Sequence, residues 1–269
     1  MNTDAFDLSI LGPALIAGLL VLATHVPLGM QVLNRGIVFI DLAIAQVAGF
    51  GVIAADRFGW EPTTWAGQVA ALTAALAGAL LLTWTERRWP DIQEALIGML
   101  FALSATGATL LLAGNPHGAE HLKDLLVGQI LWVSREQIVS MAIVTVVVLG
   151  NWFIYRRTFG RIAFYLAFAL SVTVSVQLVG LYLVFASLIV PALAVHTMTR
   201  GALASAYLIG VAGYFTGLTG SAVFDLPSGP VVVWMLAACA IAFAWGRWIW
   251  AACSRVSPRR LNGSTIHDG

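Results

Sequence analysis

Ile162-Ala-Phe-Tyr-Leu-Ala-Phe-Ala-Leu-Ser-Val-Thr-Val-Ser-Val-Gln-Leu-Val-Gly-Leu-Tyr-Leu-Val-Phe-Ala-Ser-Leu-Ile-Val-Pro-Ala-Leu-Ala-Val-His-Thr-Met198 decides how this chain crosses a membrane. As one helix it would be about 54 Å long at 1.5 Å per residue, too long for a hydrocarbon layer of about 30 Å. Gln177, Gly180 and Pro191 offer places to break it. The neighbouring arginines choose between one crossing and two. With the stretch split near Gly180 and an acidic N-terminus outside, Arg35, Arg87, Arg88, Arg156, Arg157, Arg161, Arg200, Arg247, Arg255, Arg259 and Arg260 share the cytoplasmic side. Arg57, Lys123 and Arg135 remain outside. A single crossing would export the last four arginines, against the positive-inside rule. The split is therefore expected.

Working outward, further apolar segments of spanning length run over 8–33, 37–55, 63–83, 93–114, 137–155, 202–223 and 229–250. The chain is 59% hydrophobic and 10% charged, with a mean hydropathy of +0.88, whereas soluble domains carry about 25% charged residues. The reading is an all-α integral membrane protein, a polytopic bundle of eight or nine transmembrane helices with N-terminus out and C-terminus in. Residues 1–255 form one transmembrane domain and 256–269 a polar cytoplasmic tail. The first segment has no basic stretch before it and reads as a retained helix. Tryptophans gather near segment ends (Trp60, Trp65, Trp84, Trp89, Trp132, Trp248, Trp250), as an interfacial belt would place them.

Several function classes fall away. Net charge is +1, which gives no reason to expect nucleic acid. Cys239 and Cys253 are too few for a disulfide framework and read as small apolar fillers. The single lysine, Lys123, lies outside any Gly-x-x-x-x-Gly-Lys-Ser/Thr run, so ATP, if used, is hydrolysed by another subunit. Ser187 lacks the glycines of a nucleophile elbow. Glu120-His121 only reverses part of a zinc-protease signature.

Asp41 sits in Gly36-Ile-Val-Phe-Ile-Asp-Leu-Ala-Ile-Ala-Gln-Val, a run otherwise suited to lipid. An ionised carboxylate at membrane depth costs at least about 2.5 kcal/mol, so it should face a bundle interior or a water-filled path. Gln46 adds a second polar group, and His25 lies toward the inner part of the first segment. The two segments are joined by a very short loop and are expected to be neighbours, with His25 and Asp41 at similar depth. Such nitrogen and oxygen ligands suit a divalent cation in passage. Structurally, Asp41 could instead cap backbone groups or pair with His25 or Arg35. His196, near Arg200, reads as interfacial. In the longest outer loop His117, Glu120, His121 and Asp124 form a second cluster, with the histidines four apart as metal ligands can be. Leu125 to Ser134 is apolar but too short to cross, and reads as a re-entrant or interfacial element packed on the bundle.

Val179-Gly-Leu-Tyr-Leu-Val-Phe-Ala-Ser-Leu-Ile-Val-Pro-Ala-Leu-Ala and Phe224-Asp-Leu-Pro-Ser-Gly-Pro-Val-Val-Val resemble the membrane subunit of the manganese/zinc/iron-chelate ABC importer family, whose fold is similar to that of cobalamin and siderophore importers. Leu125-Leu-Val-Gly-Gln-Ile-Leu-Trp-Val-Ser is similar to another segment of that family. Phe39 to Gly49 stands where the family carries an aspartate and a histidine. Gln46 takes the histidine's place, and Asp41 falls one position before the aspartate. The resemblance implies a permease for zinc or manganese, with no permanently bound cofactor and the ion as cargo. It implies a homodimer in a bacterial inner membrane, bathed in membrane lipid. Its other partners would be a cytoplasmic ABC ATPase and an extracytoplasmic metal-binding protein. Asp41, Gln46 and His25 would line the path, Asp41 and His25 as ligands. Arg156, Arg157 and Arg161 would contact the ATPase across an unusually short loop. In the Asp225 turn, Gly229 would permit the reversal. The rival readings are a permease for a metal chelate or other small nutrient, and an ATP-independent carrier.

Overall fold

The computed structural model describes residues 8–60, 64–112, 126–128, 130–154 and 160–256. Nine α-helices stand among them: α1 (Leu8–Arg35), α2 (Ile40–Arg57), α3 (Trp65–Arg88), α4 (Gln93–Leu112), α5 (Arg135–Ile154), α6 (Arg161–Val179), α7 (Leu181–Val195), α8 (Ala202–Phe224) and α9 (Ser228–Val256). Short 3-10 turns occupy Pro90–Ile92 and Ile130–Trp132. By length and composition α1, α3, α4, α6, α8 and α9 are each apolar enough to cross a membrane. Among the described residues the chain is all-helical, and its several long apolar helices make it a multi-pass membrane protein.

The long apolar stretch breaks at Gly180, as expected. Its φ of +81° with ψ of 162° is a conformation essentially confined to glycine. The break leaves α7 with 15 residues, about 22 Å of helix and short of a bilayer core. The Leu126–Trp132 segment packs at the same level. Gly128, at φ +66°, lies directly against the Val179 and Gly180 backbone, where a side chain on either glycine has no room. Ile130 is fully buried, so this segment packs on the bundle as its apolar sequence predicted. A reciprocal capping box then starts α5. The Gln137 N–H donates to Ser134 Oγ at 3.2 Å and the Ser134 N–H to Gln137 Oε1 at 2.9 Å.

Asp225, not Gly229, turns the chain between α8 and α9. Asp225 adopts the left-handed conformation at φ 53°, and the Leu226 N–H returns to the Ser221 carbonyl at 3.1 Å. Gly229 is needed for contact instead: a Cβ there would meet the Val127 carbonyl oxygen. Asp tolerates this backbone region better than most residues because its short side chain can bond locally.

Two groups of helices result. One assembles α7, α8 and α5 around α1, with α9 against α7 and α8; the other packs α3 and α4 on α2. α6 touches both. At one end of the bundle Glu86 of α3 holds Arg161 of α6 (Nε at 3.1 Å) and Arg35 of α1 (3.7 Å), while the Arg35 guanidinium lies 4.3 Å from the Phe164 ring centre. Buried Gln93 donates to the Leu82 carbonyl at 3.0 Å and accepts from Thr85 Oγ1 at 3.0 Å. At the opposite end the Arg57 guanidinium donates to the Leu111 carbonyl, tying α2 to α4.

Candidate transport path

The turn from α1 to α2 sets the position of Asp41. Gly36 at φ +71° redirects the chain, and buried Ile37 and Ile40 anchor the turn before α2 begins. Asp41 therefore occupies the first turn of α2 and is fully buried. The N–H groups of Asp41 and Leu42 lie beside its carboxylate, but neither oxygen makes a hydrogen bond of ordinary geometry. A helix N-terminus offers partial positive charge, which offsets part of the burial cost without supplying a counter-ion.

Among the described residues no basic side chain supplies one either. Arg35 is engaged with Glu86 and Phe164. His25 is fully buried in α1, where its Nδ1 lies 2.9 Å from the Val21 carbonyl and 3.1 Å from Thr24 Oγ1. Helices α1 and α2 do not form an extended packing pair. The expectation that a short loop makes them neighbours is thus corrected: the Gly36 turn sends α2 toward α3 and α4. His25 Nε2 is buried and unpartnered on its own side of the bundle.

The group that does approach Asp41 is another acid. Glu94, in the first turn of α4, accepts the Phe39 N–H on Oε1 at 3.3 Å, and its charge acts on Asp41. Its Oε2 is buried without a hydrogen-bond partner. Sequence reasoning missed Glu94 because an acid at a helix start after Pro90-Asp-Ile-Gln reads as an interfacial cap. A usable signal is its place at the same end of the bundle as Asp41, in the first turn of the helix that follows the α3 reversal.

Gln46 lies on a different face of α2. It is half-buried and lines a crevice of about 20 Å³ together with Ala45, Gly49, Ile53, Ala108, Leu126, Val176 and Leu181. The crevice runs from Gln46 toward the closed contact of Leu126–Gly128 with the α6–α7 break. It has room for a water or a bare ion.

The other candidates separate. Arg161 is bound to Glu86 within the bundle. His196 is exposed at the end of α7, its Nδ1 2.7 Å from the Leu193 carbonyl. Ser187 donates to the Leu183 carbonyl at 2.6 Å and lies 2.8 Å from Tyr214 Oη in the core, a helix–helix contact. His117, Glu120, His121, Asp124, Arg156 and Arg157 lie outside the described residues. Among the described residues no three His, Cys, Asp or Glu side chains gather as a metal cage would need. Asp41 and Glu94 thus pair two oxygen donors at one end of the bundle, and Gln46 stands apart from them on its own crevice.

Comparison with known proteins gives this geometry a context. The chain is 28% identical over 242 residues to an uncharacterized membrane protein of Synechocystis sp., covering 82% of this chain and 84% of that one. It is 26% identical over 187 residues to an uncharacterized membrane protein from the ycf23-apcF intergenic region of Cyanophora paradoxa, covering 61% and 62%. Among solved structures, PsaBC from Streptococcus pneumoniae in complex with Fab superposes with a TM-score of 0.73 at 18% identity, over 89% of this chain and 92% of that one. A protein described as a metal-chelate type ABC transporter, in an inward-facing conformation, gives 0.63 at 14% identity, over 87% and 85%. These likenesses establish the fold. The sequence model of the ABC 3 transport family matches residues 7–169 and 159–246. Its members are transporter membrane subunits, with ATP hydrolysed by a separate subunit. On that match across nearly the whole bundle, the chain belongs to the ABC 3 transport family.

Proposed function

We propose that this chain is the permease of an importer for bare divalent metal ions, manganese or zinc. The observation that carries the reading is Asp41: a fully buried carboxylate with both oxygens unpartnered and a second acid, Glu94, acting on it. A fully buried carboxylate with a second, partly buried acid beside it is costly, and a passing cation relieves the cost. Oxygen-only donors at Asp41, Glu94 and Gln46 suit manganese better than zinc, which favours nitrogen and sulfur. The narrow crevice at Gln46 favours an ion over a chelate.

In this reading a metal-binding protein delivers the ion to the end of the bundle closed by Gly128 and Gly180. A cytoplasmic ATPase acts at the end held by Glu86, and two copies of the chain form the permeation unit. The arginine distribution supports a cytoplasmic side for that second end, in an inner membrane. ATP binding and hydrolysis in the ATPase would drive alternating access, with Asp41 and Glu94 meeting the ion near the inner end. The test is uptake of labelled manganese and zinc into vesicles holding the permease with its ATPase. Asp41→Asn should abolish uptake while the protein still elutes as a folded complex. Uptake equal to wild type would remove Asp41 from the path, and uptake that persists without ATP would favour an energy-independent carrier.

A further inference from the structure

A cleft of about 590 Å³ lies apart from Asp41 and Gln46, between the end of α7 and the C-terminal half of α9. Val190 and Leu193 of α7 and Ala237, Ala240, Ile241 and Ala244 of α9 form its walls. The alanines fall on one face of α9, so small side chains there leave a trough rather than a packed seam. One end of the trough is polar. His196, Thr197, Arg247 and Trp248 border it, and the Arg247 guanidinium donates to Thr197 Oγ1 at 3.4 Å.

Depth and charge identify what fits. From Ala237 to Arg247 the helix rises about 15 Å, half of a hydrocarbon core of about 30 Å. The apolar trough is therefore one leaflet deep, and its cation sits where a headgroup would lie. That end is also the basic one. α6 leaves from Arg161 beside Glu86 and Arg35, and α7 returns to the same end at His196. Trp248 adds the amphipathic ring characteristic of a membrane interface. A second copy docking here would leave Arg247 without a counter-ion if the same faces met, since neither α7 nor α9 contains an Asp or Glu.

We propose that the α7–α9 trough binds one anionic phospholipid, with its phosphate on Arg247 and Thr197 and an acyl chain along the alanine floor. Basic pockets between transmembrane helices on the cytoplasmic side bind such headgroups. The site stands whether or not Asp41 lies on a transport path.

The full chain, delipidated in detergent and titrated with phosphatidylglycerol or phosphatidylcholine, is read by native mass spectrometry. Wild type should retain one phosphatidylglycerol, with phosphatidylcholine bound about tenfold more weakly because its choline cation opposes Arg247 and offsets the attraction of its phosphate. Arg247→Gln should lower phosphatidylglycerol retention by about tenfold, and Ala244→Phe should do so by filling the trough. Ala240→Leu provides a milder filling variant if Ala244→Phe does not fold, judged by size exclusion. Equal retention of the two lipids, or unaltered retention in Arg247→Gln, overturns the proposal. So does a trough-filling variant that folds and keeps its lipid, which would mean surface headgroup binding only. Displacement of the lipid by inorganic phosphate would identify a free-anion site instead. A shift from dimer to monomer in the variants, without lipid loss, would assign the trough to a second copy.

Discussion

Glu94 of α4 accepts the backbone N–H of Phe39 at 3.3 Å, and so fixes its carboxylate at the start of the helix that carries Asp41. This bond spends one oxygen of Glu94 on the unsatisfied N-terminus of α2 and leaves the other buried and unpartnered. Glu94→Gln keeps an acceptor for Phe39 while removing the charge. The expected outcome is metal uptake reduced by about tenfold or more, the scale of one lost charge-assisted contact, with little change in thermal stability. Initial uptake rates and a melting curve on the same preparation check both halves.

Asp41→Asn has a second signature beyond lost uptake. Burying a carboxyl group with no hydrogen-bond partner of ordinary geometry costs stability, so Asn, which adds no charge, should leave the metal-free protein at least as stable as wild type. Thermal denaturation in the presence of a chelator measures this. A lower melting temperature than wild type would mean that the carboxylate is an ordinary structural cap.

Much of the architecture was readable from the chain because lipid imposes harsh constraints. Length and arginine placement favour a split of the 162–198 stretch, and of the three residues that could break it Gly180 does so. The Leu125–Ser134 segment was too short to cross and packs its Ile130 into the bundle. The neighbourhood of Asp41 was not readable. Connection length says that α1 and α2 share an end of the bundle, but not which faces meet, and the Gly36 turn decides that. Glu94 was hidden for a related reason. Its chemistry comes from Phe39, 55 positions away, and no spacing rule along one helix connects them. Gly229 is the expected residue of the reversal because glycine usually supplies such conformations, whereas Asp225 supplies it here.

Glu86→Gln should loosen the inner end. Its carboxylate serves both Arg161 and Arg35, and its side chain is only 15% exposed. The arginines keep access to water, so the loss should be modest, about 1 kcal/mol. The shift should shrink in high salt as screening weakens the wild-type pairs. Melting temperatures of both proteins at low and high ionic strength measure it.

Gly180→Ala should be far more damaging than an ordinary glycine change. Its backbone occupies a region that costs an alanine of order 1–3 kcal/mol, and a Cβ would strike the Val127–Gly128 backbone. Neither partner is a flexible side chain that can yield. Loss of folded protein on membrane extraction is the expected result. Gly150→Ala, where nothing lies within 4 Å of the added carbon, is the control that should express normally.

Gln46 offers a gain as well as a loss. Its amide lines a crevice closed above by Leu126, Val176 and Leu181. Gln46→Phe should fill that space and stop uptake of every ion, with the fold preserved because the side chain is only half-buried. Gln46→His places an imidazole at the same position, a better ligand for zinc than an amide oxygen. The expected result is a zinc-to-manganese uptake ratio raised by about tenfold, equivalent to about 1.4 kcal/mol of discrimination. Competition between labelled manganese and unlabelled zinc reads the ratio in one assay. An unchanged ratio in an active Gln46→His protein would show that the ion passes without touching this position, leaving Asp41 and Glu94 as the groups that meet it.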